Sequence, residues 1–185
     1  KKEVVQLKYL NELTKSKNLR EVCQYALVMQ QEEGKIIFTS DGRQARFMVI
    51  NDLPDGLDGL CKIIEEKKSC FIVPAQIEQD YPKVNFLVNW DKDPSYQKIG
   101  EYRVDRNQFV ATEIILDSLN VFPECKFVLN RDYIDNVFKM PEKAFRLIHG
   151  DIFLPTYFNG LERSPIIFKG KEITSIVMVG IYSKS

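Results

Sequence analysis

Residues 164–185, SPIIFKGKEITSIVMVGIYSKS, close the chain with two apolar runs, Ile166 to Phe168 and Ile173 to Tyr182, on either side of a short charged Lys-Gly-Lys-Glu turn. Successive side chains of a strand point to opposite faces, so the pair reads as an antiparallel hairpin with alternate residues of Ile173 to Tyr182 packed inward. The same pattern stands nearer the start of the chain. In residues 35–50, KIIFTSDGRQARFMVI, two apolar runs flank Ser40-Asp41-Gly42, and Asp-Gly marks a tight turn because glycine accepts positive φ. Helical spacing followed by paired strands at both ends predicts an α+β fold, an antiparallel sheet packed against amphipathic helices.

The helical spacing is that of Val4, Leu7, Leu10 and Leu13, and after a break the run Leu19, Val22, Cys23, Ala26 and Leu27 resumes it. The exposed face of these helices would hold Lys8, Lys15, Lys17 and Arg20. A solvated face and a surface turned toward a phosphate backbone both fit such cations. Leu57 to Glu66 reads as a short helix with Leu57, Leu60, Ile63 and Ile64 inward, and Cys70 to Val73 as a strand halted by Pro74, which lacks a ladder donor. Further on, Asn130 is placed to cap a helix carrying Tyr133, Ile134, Val137 and Phe138 and ending before Pro141. Ala144 to Ile148 reads as a strand that His149-Gly150-Asp151 turns. Residues 1–185 are taken as one enlarged domain, with a split into 1–95 and 96–185 as the alternative.

Lys plus Arg and Asp plus Glu both number 26 in the 185 residues, so no global field draws the chain onto nucleic acid or membrane, and any nucleic-acid contact must come from a local patch. The 44% hydrophobic content supplies a core. Cys23, Cys61, Cys70 and Cys125 are far apart and form no CxxC pair, as expected of reduced cysteines in a cytoplasmic protein. No apolar stretch is long enough to span a bilayer.

Chemistry-bearing patterns are sparse. The single His149 stands beside Gly150 with no G-x-S-x-G motif, the cysteines lack zinc-ligand spacing, and the nine glycines form no phosphate-binding fingerprint. No cofactor or resident metal is expected. The one constellation with catalytic potential is Pro54-Asp55 followed by Glu65-x-Lys67, since a metal-dependent nuclease uses an Asp and a Glu to hold a divalent cation while a Lys orients water. An acidic loop followed by a solvated helix end is the plain structural alternative.

Over the last sixty or so residues the succession FVLNRDYIDNVF, KAFRLIHG, SPIIFKG and ITSIVMVGIY resembles the final domain of the bacterial sliding clamp, the beta subunit of DNA polymerase III. Upstream, TSDGRQAR is similar to that family's Thr-x-Asp-Gly stretch with an Arg shortly after, and FIVPA to its apolar strand ending in Pro-Ala. The resemblance implies a sliding-clamp-like domain with insertions, whose helices face DNA and whose sheets form the outer layer. It implies nonspecific phosphate contact by Lys8, Lys15, Lys17 and Arg20, and a peptide-binding pocket to which Ile176 and Met178 contribute. The flexible thioether of a Met suits a pocket that accepts several side chains. Val177-Met178-Val179-Gly180 departs from the family's Val-Met-Pro-Met ending, and family members carry three comparable domains in a longer chain.

The expectation is therefore a noncatalytic DNA- or replication-associated binding protein with duplex DNA, replication proteins and further copies of itself as partners, and no membrane. The reduced size suits a phage or mobile element. A partner-specific assembly or inhibitory protein, and a small metal-dependent nuclease using Asp55, Glu65 and Lys67, are the alternatives.

Overall fold

The computed structural model describes residues 2–16, 20–105, 111–116, 125–128, 131–138, 147–155 and 164–183, and these are mostly antiparallel strand with few helices. They divide into two compact units, Lys1–Val84 and Asn85–Ser185. Lys17, Asn130 and Pro141 lie outside the described residues.

The first unit begins with helix α1 (Lys2–Asn11) and two 3-10 turns, Leu13–Lys15 and Glu21–Gln24, followed by strands β1 (Ala26–Gln31), β2 (Gly34–Ser40), β3 (Gln44–Ile50), β4 (Gly59–Glu65) and β5 (Cys70–Pro74). The strands lie in the order β5-β4-β1-β2-β3, every neighbouring pair antiparallel. Leu7, Leu10 and Leu13 are buried, as their spacing predicts, together with Ala26, Val28, Ile37, Phe38, Cys61 and Ile63 from the strands.

Two stretches expected to be helical are strands. In the described part of the run that follows Leu19, Glu21–Gln24 is a 3-10 turn, and from Ala26 onward the residues pair in register with β2, Val28 opposite Ile37. Within Leu57 to Glu66, Gly59–Glu65 is likewise strand β4, with Cys61 and Ile63 buried and Lys62 exposed between them. Both runs contain apolar residues three and four apart, but cross-strand pairing overrides that local spacing. Gly56 and Gly59, at φ of +88° and +91°, mark the entry to β4 in a backbone conformation a helix does not use.

The second unit contains α2 (Asn85–Val88), a 3-10 turn at Trp90–Lys92, and β6 (Tyr96–Asp105), β7 (Ala111–Leu116), β8 (Cys125–Val128), α3 (Arg131–Phe138), β9 (Leu147–Pro155), β10 (Ser164–Gly170) and β11 (Ile173–Ser183). The strand order is β11-β10-β9-β6-β7, and the far end of β11 also pairs with β8, Gly180 opposite Val128. The closing hairpin forms, Ile167 opposite Ile176, but the expected alternation does not hold, since Ile173 to Val177 are all buried. His149-Gly150-Asp151 does not turn the chain; it runs through β9, paired with both β6 and β10. Glycine is required there by close approach, since a Cβ on Gly150 would stand 2.4 Å from the Lys169 carbonyl oxygen and 2.6 Å from the Tyr102 hydroxyl. The Tyr102 ring fills that space and meets Phe168 edge-on at 5.8 Å.

Candidate nucleic-acid and partner surfaces

A helix ends with carbonyls that have no intrahelical donor, and in α1 the β2–β3 hairpin supplies donors to two of them. Thr39 and Arg46, which face each other across β2 and β3, reach successive carbonyls: Thr39 Oγ1 donates to Leu10 at 2.8 Å and Arg46 Nη1 to Tyr9. The Arg46 guanidinium is only 2% exposed, lies 3.7 Å from the centroid of the Tyr9 ring and pairs with Glu12 at 3.1 Å. A buried cation at a helix C-terminus meets the negative end of its dipole. The intervening turn is self-contained. Asp41 Oδ1 accepts from the backbone of Arg43 and Gln44 at 2.9 and 2.8 Å, Ser40 Oγ accepts from Gly42 at 3.0 Å, and Gly42 takes φ +86°. TSDGRQAR is thus a docking module for the helix, with Asp41 committed to the turn.

Docking brings α1 and the residues after it against the β4–β5 hairpin. Glu65, the last residue of β4, accepts from Asn11 Nδ2 and Lys15 Nζ, both at 2.7 Å. Partial burial pushes its carboxyl upward, but the hydrogen bonds from Lys15 and Asn11 and the charges of Lys15 and Lys8 outweigh this and hold it below the usual glutamate range. Lys8 is half-buried and its ammonium donates to the Glu66 carbonyl at 3.3 Å. Lys15 keeps 57% of its side chain exposed, and Arg20 is exposed. Lys8 and Lys15 therefore gather on the β4–β5 hairpin, where the carboxylates of Glu65 and Glu66 offset part of their charge.

Of the nuclease residues, Asp55 sits exposed in the turn after Pro54, Glu65 is engaged by Lys15 and Asn11, and Lys67 lies exposed beyond the end of β4. Among the described residues no group of three or more His, Cys, Asp and Glu side chains is placed to hold a metal ion. A groove of about 600 Å³ in the first unit is lined by Leu27, Leu60, Ile77, Asp58, Glu78 and Asp80. Its carboxylates repel phosphate. Burial raises the thiols of Cys23 and Cys61, leaving them poor nucleophiles.

In the second unit Ile176 is 2% exposed and pairs with Ile167, while Met178 is half-buried opposite Pro165. Register puts Phe153, Ile167 and Ile176 on one face of the sheet. Trp90 packs against Phe153 at 4.7 Å, Tyr96 meets Trp90 at 5.7 Å, and the Tyr96 hydroxyl donates to the Pro165 carbonyl at 3.1 Å. Ile176 is thus core, and the half-exposed surface one rung along consists of Tyr96, Pro165 and Met178. Tyr96 and Pro165 could not be singled out beforehand, because their grouping depends on the registers of β6, β9 and β10.

No protein-family model and no curated protein matches the sequence. Solved structures do. The DNA polymerase III beta subunit from Thermotoga maritima superposes with a TM-score of 0.43 at 9% identity over 95% of this chain and 61% of its own, and the DNA polymerase sliding clamp from Bacillus subtilis with 0.43 at 10% over 96% and 62%. The chain spans about three-fifths of the length of these structures. The resemblance to the sliding-clamp family is weak and at the level of the domain.

Proposed function

We propose that this chain is a noncatalytic binding protein associated with duplex DNA and the replication machinery. The observation that carries the reading is the gathering of cations in the first unit: Lys8 and Lys15 are drawn to one hairpin by the docking of α1, and Arg20 is exposed. Contact with a phosphate backbone needs charge and reach, not base recognition, and these side chains have both. The motifs that resemble the clamp family are consistent with it, since TSDGRQAR positions the helix that presents Lys8.

In the second unit, Met178 with Tyr96 and Pro165 offers a half-exposed apolar surface for a replication protein or another copy of the chain, with Ile176 supporting it from within. No helix among the described residues is long and apolar enough to cross a membrane, and the free Cys23, Cys61 and Cys70 are compatible with the reducing cytoplasm in which we place the protein.

The test is duplex-DNA binding by the whole chain at several salt concentrations, repeated with Lys8, Lys15, Lys17 and Arg20 replaced by Ala. Binding that weakens with salt, and weakens further in the variant with a shallower salt slope, is expected. No binding by the unaltered chain, or a variant indistinguishable from it, would remove the DNA-binding role assigned to these residues.

A further inference from the structure

The β4–β5 hairpin closes on a two-residue tip. Glu66 N–H donates to the Ser69 carbonyl and Ser69 Oγ to the Glu66 carboxylate, both at 2.9 Å, which leaves Lys67 and Lys68 at the apex. Such tips favour Gly, Asn or Asp, which tolerate the positive φ that tight hairpins require. Lys-Lys is not among these residues and sets two like charges side by side. Turn chemistry leaves the pair unexplained.

Position gives it a purpose. The Lys8 ammonium lies 3.3 Å from the Glu66 carbonyl oxygen, in the same peptide unit as the Lys67 N–H. Both tip lysines are exposed and neither is ion-paired with another described residue. The Lys8 ammonium thus reaches the strand end that leads into the Lys67-Lys68 tip, and a duplex presents one negative charge per about 1.7 Å of its axis to cations placed there. Beside them, Glu65 holds Lys15 at 2.7 Å and adds a negative charge of its own.

We infer that Lys67 and Lys68, together with Lys8, form a phosphate-contacting patch centred on the hairpin tip, and that Glu65 restrains it by sequestering Lys15. This rests on the duplex-DNA reading above and extends it to residues outside the helix. The probe is a short labelled duplex of mixed sequence, titrated with the whole chain over a range of salt concentrations. K67A/K68A should weaken binding about tenfold and shallow the slope of log affinity against log salt by about 1.8, two phosphate contacts at about 0.9 each, while K67R/K68R retains both affinity and slope. E65Q should strengthen binding several-fold by releasing Lys15. Binding by the unaltered chain that K67A/K68A leaves unchanged in affinity and slope would overturn the patch while leaving the broader proposal standing. No binding by the unaltered chain would overturn both.

Discussion

Arg46 shows how much one side chain can carry in this protein. Its guanidinium is buried, donates to the Tyr9 carbonyl, pairs with Glu12 and covers the Tyr9 ring, so it links the sheet to the end of α1 by charge, hydrogen bond and stacking together. Arg46→Ala leaves a helix-terminal carbonyl without that donor and a void beneath the helix. Hydrogen bonds to charged groups contribute about 1.5–3 kcal/mol, and the loss here should be about 3 kcal/mol, because Glu12 remains half-exposed and rehydrates. Thermal or denaturant unfolding measures it, and a loss under about 1 kcal/mol would show that α1 is held by its leucines alone. The sequence displays Arg46 only as an Arg following Asp-Gly; its burial depends on a helix over thirty residues earlier.

At the scale of elements, α1 and the β4–β5 hairpin meet through Glu65, and that contact should depend on pH. The folded chain holds the Glu65 carboxyl below its ordinary value through Lys15 and Asn11. Its contribution is complete above the ordinary glutamate value of about 4.3 and is lost as pH falls through the depressed one. With Lys15 largely in water the pair is worth under about 1 kcal/mol. E65Q should melt slightly below the unaltered chain at pH 7, and the offset should shrink as pH falls below the ordinary glutamate value and through the depressed one. An offset that persists in acid would mean that Glu65 acts by packing. The two hairpins around Asp41-Gly42 and Gly170-Lys171 were legible because a turn signal stands between apolar runs. β4 was not, since Leu57, Leu60, Ile63 and Ile64 fit a helical face and only pairing with β1 and β5 reveals the strand. With β4 hidden, its hairpin tip and Lys68 stayed hidden as well. Lys8, Lys15 and Arg20 were legible as cations, but Glu65 as their counterweight was not, because fifty residues separate it from Lys15.

For the whole molecule, zero net charge means that affinity for an anion must come from how the charges are distributed, and the division into two units sets the scale of that distribution. Residues 1–84 have the means to fold alone. Their five strands pair with one another, α1 has its Tyr9, Leu10 and Asn11 carbonyls satisfied by Arg46, Thr39 and Thr14, and the core holds Leu7, Leu10, Val28, Ile37, Phe38 and Cys61. A chain of this length exceeds the size below which a single core fails without disulfides or metals. The connection after β5 is tied back within the same unit, Ala75 N–H to the Leu60 carbonyl at 2.9 Å and Gln79 to Glu21 at 3.0 Å. Expressed by itself, the 1–84 segment should unfold cooperatively on heating and retain the salt-dependent affinity for duplex DNA proposed for Lys8, Lys67 and Lys68. A segment lacking a cooperative transition would show that the first unit draws its stability from the remainder of the chain. One that folds but has lost all affinity for the duplex would move the anion-binding charge into residues 85–185.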